Sequence, residues 1–299
     1  GKTMMGSLYD QFDVDYYKLE VTEPGVISVD FDTSGNFYSD YYVVQLLRSD
    51  AMDTPIAQEY TGYAGQPVIF DVAVTDSSLD YYLSVGTRTG YGYQDDPYTI
   101  STTFTQGVDG YETESNNTAA EADSITLGAS GASITGVVSD RDDADWYVFD
   151  VSAPGRLSVD LTSVGDAHGD FFNIVVYDAD LNILSSRRGS GVVASEASLS
   201  FPVAASSSGL YYVKVEDSVY QKTDPYDLTV DFTEGPLTSF TTDFETEDNT
   251  ISTSADIIHH GKTMMGSLYD QFDVDYYKLE VTEPGVISVD FDTSGNFYS

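Results

Sequence analysis

The chain contains no cysteine. Disulfides, thiolate metal sites and cysteine nucleophiles are excluded together, while the redox compartment stays open. Positive charge is almost as scarce: 12 Lys and Arg stand against 50 Asp and Glu in 299 residues, a formal net charge of −38. Phosphate contacts need clustered cations, so this balance excludes a nucleic-acid binder as a first reading. The same repulsion disfavours an anionic membrane surface. No stretch approaches the ~20 continuous apolar residues of a membrane-spanning helix, so no membrane span is expected. No signal peptide is visible either, although Gly1 is not a start methionine and a leader can lie outside this segment. Histidine is limited to three residues, and no G-x-S-x-G turn exists to present a serine to one of them. Carboxylate pairs are too numerous to single out glycoside hydrolysis. No catalytic constellation emerges, and the chain is not expected to be an enzyme.

What is present argues for a folded protein with an acidic skin. Apolar residues make up 41% and aromatic residues 13%, too many for a disordered acidic tail. The acid is divided unevenly, 37 Asp against 13 Glu. Glu favours helices, whereas Asp prefers turns, caps and hard-cation sites, so the bias points to loops between strands and to calcium.

Two repeats are nested in the chain. Residues 1–39 recur unchanged at 261–299, an offset of 260 residues. Chance does not produce such a run; it predicts a window slightly longer than one period of a tandem polymer, with a duplicated end as the alternative. Inside each period lies a diverged repeat. YETESNNT (111–118) resembles FETEDNT (244–250), and GVVSDRDDADWYVFDVSAPGRLSVDL (136–161) matches GSLYDQFDVDYYKLEVTEPGVISVDF (266–291 and 6–31). The register predicts a unit A at 1–109 that lacks its opening segment, a complete unit B at 110–236, and the first half of the next unit A at 242–299. A half-unit would expose its inner face and strand edges, so either the natural chain continues past both ends or a neighbouring molecule completes the fragments.

Period-2 alternation is frequent and sustained helical periodicity is absent. Leu157, Val159 and Leu161 fall on one face with Ser158 and Asp160 on the other, and 171–177 reads as a central strand covered on both sides. Pro154-Gly155, Ser208-Gly209 and Asp224-Pro225 interrupt the runs. About eight short strands per unit predict an all-β protein of tandem antiparallel β-sandwiches.

The motifs resemble the bacterial pre-peptidase C-terminal domain family, a jelly-roll-like β-sandwich that follows secreted peptidases and includes collagen-binding domains of clostridial collagenases. In unit B the resemblance rests on Glu112, Glu114 and Asn116, then Gly136, Asp143, Asp145, Trp146 and Tyr147, then Pro154-Gly155 and Gly209 to Val213. Collagen-binding members of that family hold calcium between the opening acidic segment and the Asp-rich loop. Carried over, the resemblance implies Ca2+ ligands among Glu112, Glu114, Asn116, Asp142, Asp143 and Asp145, with Asp140 nearby. In unit A it implies Glu245, Glu247, Asn249, Asp273 and Asp275, and Asp13 and Asp15 in the first copy. Phe272 replaces the acid at the Asp142 position, so unit A has fewer ligands. Independently of the family, Glu112 and Glu114 two apart on a strand would share a face, and clustered carboxylates repel unless a cation sits among them.

Remaining signals are weaker. His259-His260 is expected on the surface, because adjacent strand residues face opposite ways. Asp166 and Asp170 flank His168 as a second possible calcium loop. Asn116 also opens a glycosylation sequon, where a glycan and metal ligation compete; ligation is favoured. The 24 Tyr are read mainly as sandwich-edge residues, with subunit or ligand contact as the alternative. The expected function is structural: a secreted or cell-surface fibre of calcium-stabilised sandwiches joined head to tail, whose partners are copies of itself. The alternative is an adhesin or substrate-targeting module that binds glycan or extracellular matrix.

Overall fold

The computed structural model describes residues 2–33, 42–61, 67–87, 97–138, 143–164, 172–188, 196–217, 225–237, 242–246, 249–266, 268 and 272–292. By its contacts the chain divides into two compact units. One comprises Gly1–Asp123, Ser133–Asp145 and Gln221–Asp227; the other comprises Ser124–Ala132, Trp146–Tyr220 and Leu228–Ser299.

The first eight strands are β1 (Lys2–Gly6), β2 (Asp15–Leu19), β3 (Gly25–Thr33), β4 (Tyr42–Arg48), β5 (Ala51–Tyr60), β6 (Val68–Val74), β7 (Tyr81–Thr87) and β8 (Tyr98–Gln106). They form two four-stranded sheets, ordered β1-β8-β3-β6 and β2-β7-β4-β5. All their pairings are antiparallel. Alternation decides the core: Ile27, Val29 and Phe31 of β3 meet Phe70, Val72 and Ile100 in one buried cluster. Phe31, Tyr42 and Tyr98 pack ring on ring within it, at centroid separations of 5.1 to 5.9 Å. Gly25 allows β3 to approach β8, since a Cβ there would run into the Phe104 ring and the Thr105 carbonyl.

The next strands are β9 (Asp123–Ser124), β10 (Ala132–Gly136), β11 (Ala144–Val151), β12 (Gly155–Val164), β13 (Phe172–Tyr177), β14 (Ile183–Arg188), β15 (Glu196–Ala205), β16 (Gly209–Asp217) and β17 (Tyr226–Glu234). They repeat the arrangement as sheets β10-β17-β12-β15 and β14-β13-β16-β11-β9. Leu157, Val159 and Leu161 of β12 are buried, as their alternation predicts. Strand β13 is buried at Phe172, Ile174, Val175 and Val176. The all-β expectation therefore holds for these residues, and antiparallel sheets dominate.

The last described segment departs from that pattern. Strands β18 (Thr242–Phe244), β19 (Asp256–Ile258), β20 (Thr263–Met265) and β21 (Tyr277–Leu279) make two short parallel pairs, β18 with β20 and β19 with β21. Parallel pairing follows because residues 242–258 run alongside the strands they precede. Residues 285–292 have the sequence of β3 yet belong to no strand.

Candidate metal centre

The opening segment of unit B is stitched along β10. Tyr111 bridges Thr135 in parallel, and the Glu112 N–H donates to the Thr135 carbonyl at 3.0 Å. The Glu112 carboxylate turns inward and accepts from the Val137 N–H at 2.5 Å. Asp145 arrives from the other side. It lies in β11, on the same buried face as Tyr147, Phe149 and Val151, so the alternation that builds the core also sends this carboxylate inward. Carboxylate oxygens of Glu112, Glu114 and Asp145 thereby lie within 4.8 Å of one another. Residues 112–114 are not a strand, so their convergence comes from the hydrogen bonds to 135–137 and not from the expected strand alternation.

Asn116 and Asp145 are fully buried, and Asp143 is buried beside them. Burial of the Asn116 amide leaves no room for a glycan there. Its Nδ2 donates to Asp123 Oδ2 at 3.3 Å, which fixes the amide orientation and points Oδ1 away from Asp123. Asp123 also accepts from the Thr113 N–H at 2.7 Å and the Thr113 hydroxyl at 2.5 Å. The Tyr226 hydroxyl donates to Asp145 Oδ2 at 2.5 Å. Three buried oxygens remain without a hydrogen-bond partner: Glu114 Oε1, Asn116 Oδ1 and Asp145 Oδ1.

The electrostatics match this geometry. Burial, reinforced by the charges of Glu112 and Asp143, pushes the Glu114 carboxyl up to about 10. Burial, then Glu112, Asp143 and Glu114, holds Asp145 well above the usual carboxylate range, against the lowering effect of Tyr226. A buried acid cluster of this kind is relieved by protons or by a cation. The donor set is hard oxygen throughout, carboxylates plus one amide carbonyl, and such sets suit Ca2+ and not soft metals. The cluster can hold a metal ion.

The opening of the last unit A repeats much of this. Glu245 and Asp273 are buried and Asn249 is fully buried. The Tyr277 hydroxyl donates to Glu245 Oε2 at 2.6 Å, and Asn249 Nδ2 donates to Asp256 Oδ2 at 3.1 Å. Asn249 Oδ1 and Asp275 Oδ1 lack hydrogen-bond partners, and burial together with Asp273 raises the Asp275 carboxyl. Among the described residues, however, only Glu112, Glu114 and Asp145 close as a three-carboxylate group. In the first copy Asp13 accepts from the Tyr9 N–H at 2.9 Å in an exposed turn. Asp15 there accepts from Tyr98, whose hydroxyl also meets that of Tyr17 at 2.7 Å. Asp140, Asp142 and Glu247, and the loop of Asp166, His168 and Asp170, lie outside the described residues.

Sequence reasoning missed Asp123 and Asp256. Each clasps a threonine and the buried asparagine of its own opening segment. The signal was available: Asp123 follows Glu112, and Asp256 follows Glu245, at the same offset.

The site can now be set beside known proteins. Residues 143–217 match the family model of the bacterial pre-peptidase C-terminal domain. The matched stretch contains Asp143, Asp145, Trp146 and Tyr147 and runs through Gly209 to Val213, the residues that suggested the resemblance. Glu112, Glu114 and Asn116 precede it. Among solved structures, the chain is similar to the pre-peptidase C-terminal domain of collagenase from Bacillus anthracis, at 20% identity over 36% of this chain and 93% of that one, with a TM-score of 0.27. It is also similar to the CUB1-EGF-CUB2 domain of human MASP-1/3, at 9% identity over 77% of this chain and 99% of that one, with a TM-score of 0.25. The pre-peptidase C-terminal match thus covers β11 through β16, including Asp143 and Asp145 of the acid cluster.

Proposed function

We propose that the chain is a non-catalytic structural module of a secreted or cell-surface fibre. Calcium held by Glu112, Glu114, Asn116, Asp143 and Asp145 ties each opening segment to its sandwich. The reading rests on one observation: three buried oxygens without hydrogen-bond partners sit among acids whose burial disfavours ionisation. A cation satisfies all of them at once. The neighbouring contact gives the ion a mechanical role. Tyr111, adjacent to Glu112, donates its hydroxyl to Asp71 of β6 at 3.2 Å, so ordering of the ligand segment also steadies its contact with β6. Unit A would use Glu245, Asn249, Asp273 and Asp275, with Glu247, in the same way. The test is melting and electron microscopy in calcium and in chelator. Calcium should raise the melting temperature and favour regular filaments; equal melting in both would sink the calcium role, and dispersed particles in calcium would sink the fibre.

A second reading, a glycan- or matrix-targeting module, draws on an aromatic group outside the metal centre. Trp146 stacks on Tyr177 at 5.0 Å, Tyr212 meets it edge-on at 6.4 Å, and Lys214 Nζ lies 5.8 Å from its ring centroid. Binding of collagen or glycan by the wild type, lost in Trp146→Ala, would favour that reading.

A further inference from the structure

Two opening segments are seated in the same way. The Glu112 and Glu245 N–H groups donate at 3.0 Å to the carbonyls of Thr135 and Met265, which precede Gly136 and Gly266 of the repeated motif. Each anchored segment lays the aromatic residue just before its Glu on the edge strand of a preceding sheet. Tyr111 bounds a small cavity with Asp71, Val72 and Ala73 of β6, and Phe244 bounds another with Pro202 and Val203 of β15. Each cavity lies inside one of the two compact units. The ladders make these positions equivalent. With Gly25 opposite Val74 and Gly155 opposite Ala205, Asp71 corresponds to Pro202, Ala73 to Ala204, and Val26 to Arg156. Ala73 and Ala204 alternate with core-facing neighbours, yet they are only 6% and 5% exposed. The outer face of the strand is thus covered at the same point in both.

What differs is the chemistry of the two sockets. The Tyr111 hydroxyl donates to Asp71 Oδ2 at 3.2 Å, whereas Pro202 at the matching position has no side-chain acceptor. The Arg156 guanidinium lies 5.8 Å from the Phe244 ring centroid, whereas Val26 at the matching position carries no charge. We infer that these contacts form an ordering code, in which the β6 socket selects the Tyr opening and the β15 socket selects the Phe opening. Specificity of this kind is a difference of affinities. In the wrong arrangement Phe leaves the Asp71 carboxylate beside an electron-rich ring without a donor, and Tyr meets Pro202 without its acceptor. Related units in one chain are prone to dock on the wrong neighbour as they fold, and mismatched sockets oppose that. The inference goes beyond the calcium and fibre readings and stands if either fails, because it concerns only which opening each socket accepts.

The absence of cysteine lets one introduced thiol report on each socket. In the full chain, Ala73→Cys reads the first socket and Ala204→Cys, its ladder equivalent, reads the second. Ala57→Cys, at a core position with 0% exposure, reads global unfolding. A covered thiol reacts with excess maleimide in proportion to its open population when reclosing is fast. Tyr111→Phe should speed labelling at position 73 by about five- to ten-fold, and Asp71→Ala should do the same. The two together should do no more than either alone, because each removes the same bond. Arg156→Gln should speed labelling at position 204 by about two- to five-fold, but not in a chain that also carries Phe244→Leu. Exchanging the openings, Tyr111→Phe with Phe244→Tyr, should speed labelling at 73 without slowing it at 204. Unchanged labelling in the exchanged chain would overturn the inference. So would multiplicative effects of Tyr111→Phe and Asp71→Ala, or an equal acceleration at position 57.

Discussion

Replacement of Glu114 by Gln should change the sign of its effect when calcium is added. The Glu114 carboxyl, ordinarily near 4.5, is pushed up to about 10, first by burial and then by Glu112 and Asp143. A folded-state value above the unfolded one means that the metal-free fold binds an extra proton. Its stability is therefore greatest below about pH 4.5 and declines as pH rises toward 10. At pH 7 proton uptake by this one group costs about 3 kcal/mol. Glu114→Gln removes the titration and keeps the shape, so in chelator the variant should be more stable than wild type by about 1–3 kcal/mol, or roughly 5–15 °C in a domain of this size. In calcium the order should invert. Wild type gains about 2.7 kcal/mol at a hundredfold excess over its dissociation constant, and the variant, short of one anionic ligand, gains much less. Trp146 is the only tryptophan and adjoins Asp145, so thermal melts followed by its fluorescence report on this sandwich and not on unit A. Equal destabilisation of the variant with and without calcium would refute the reasoning, because a merely structural Glu114 produces that result.

The remaining predictions concern the same clasp and its supports. Calcium affinity measured by calorimetry should rise with pH from about 4 to 8 with proton release, because Glu114 and Asp145 must give up protons to bind the ion. Asp123→Ala should cost about 1–3 kcal/mol in chemical denaturation, through the lost bonds to Thr113 and Asn116, and should also weaken calcium binding. Tyr226→Phe removes a hydrogen bond that favours ionised Asp145 and should lower metal-free stability at pH 7 by about 1–2 kcal/mol in thermal melts. Gly155→Ala should destabilise by about 1–3 kcal/mol in denaturant titrations, since the added methyl meets the Thr233 carbonyl and the Phe232 ring.

Much of the fold was readable because strand alternation is a local signal. Leu157, Val159 and Leu161 declared their buried face from three residue types at spacing two, and β12 confirms it. The centre was readable only in part. Glu112, Glu114 and Asn116 stand close together in the chain, whereas Asp123 acts from seven residues beyond Asn116, where no periodicity points back to it. Asp145 was legible as an acid but not as a member of the core-facing row, because that depends on where β11 begins. The Tyr226 hydroxyl, 81 residues from its partner, leaves no local trace at all.

The clearest limit on local reading is a string that occurs twice. VISVDF buries its alternate residues at 26–31 and exposes them at 286–291, with no sequence difference to explain it. Alternation therefore specifies which face of a strand is apolar, while burial is conferred by β6 and β8, some 40 to 80 residues further along.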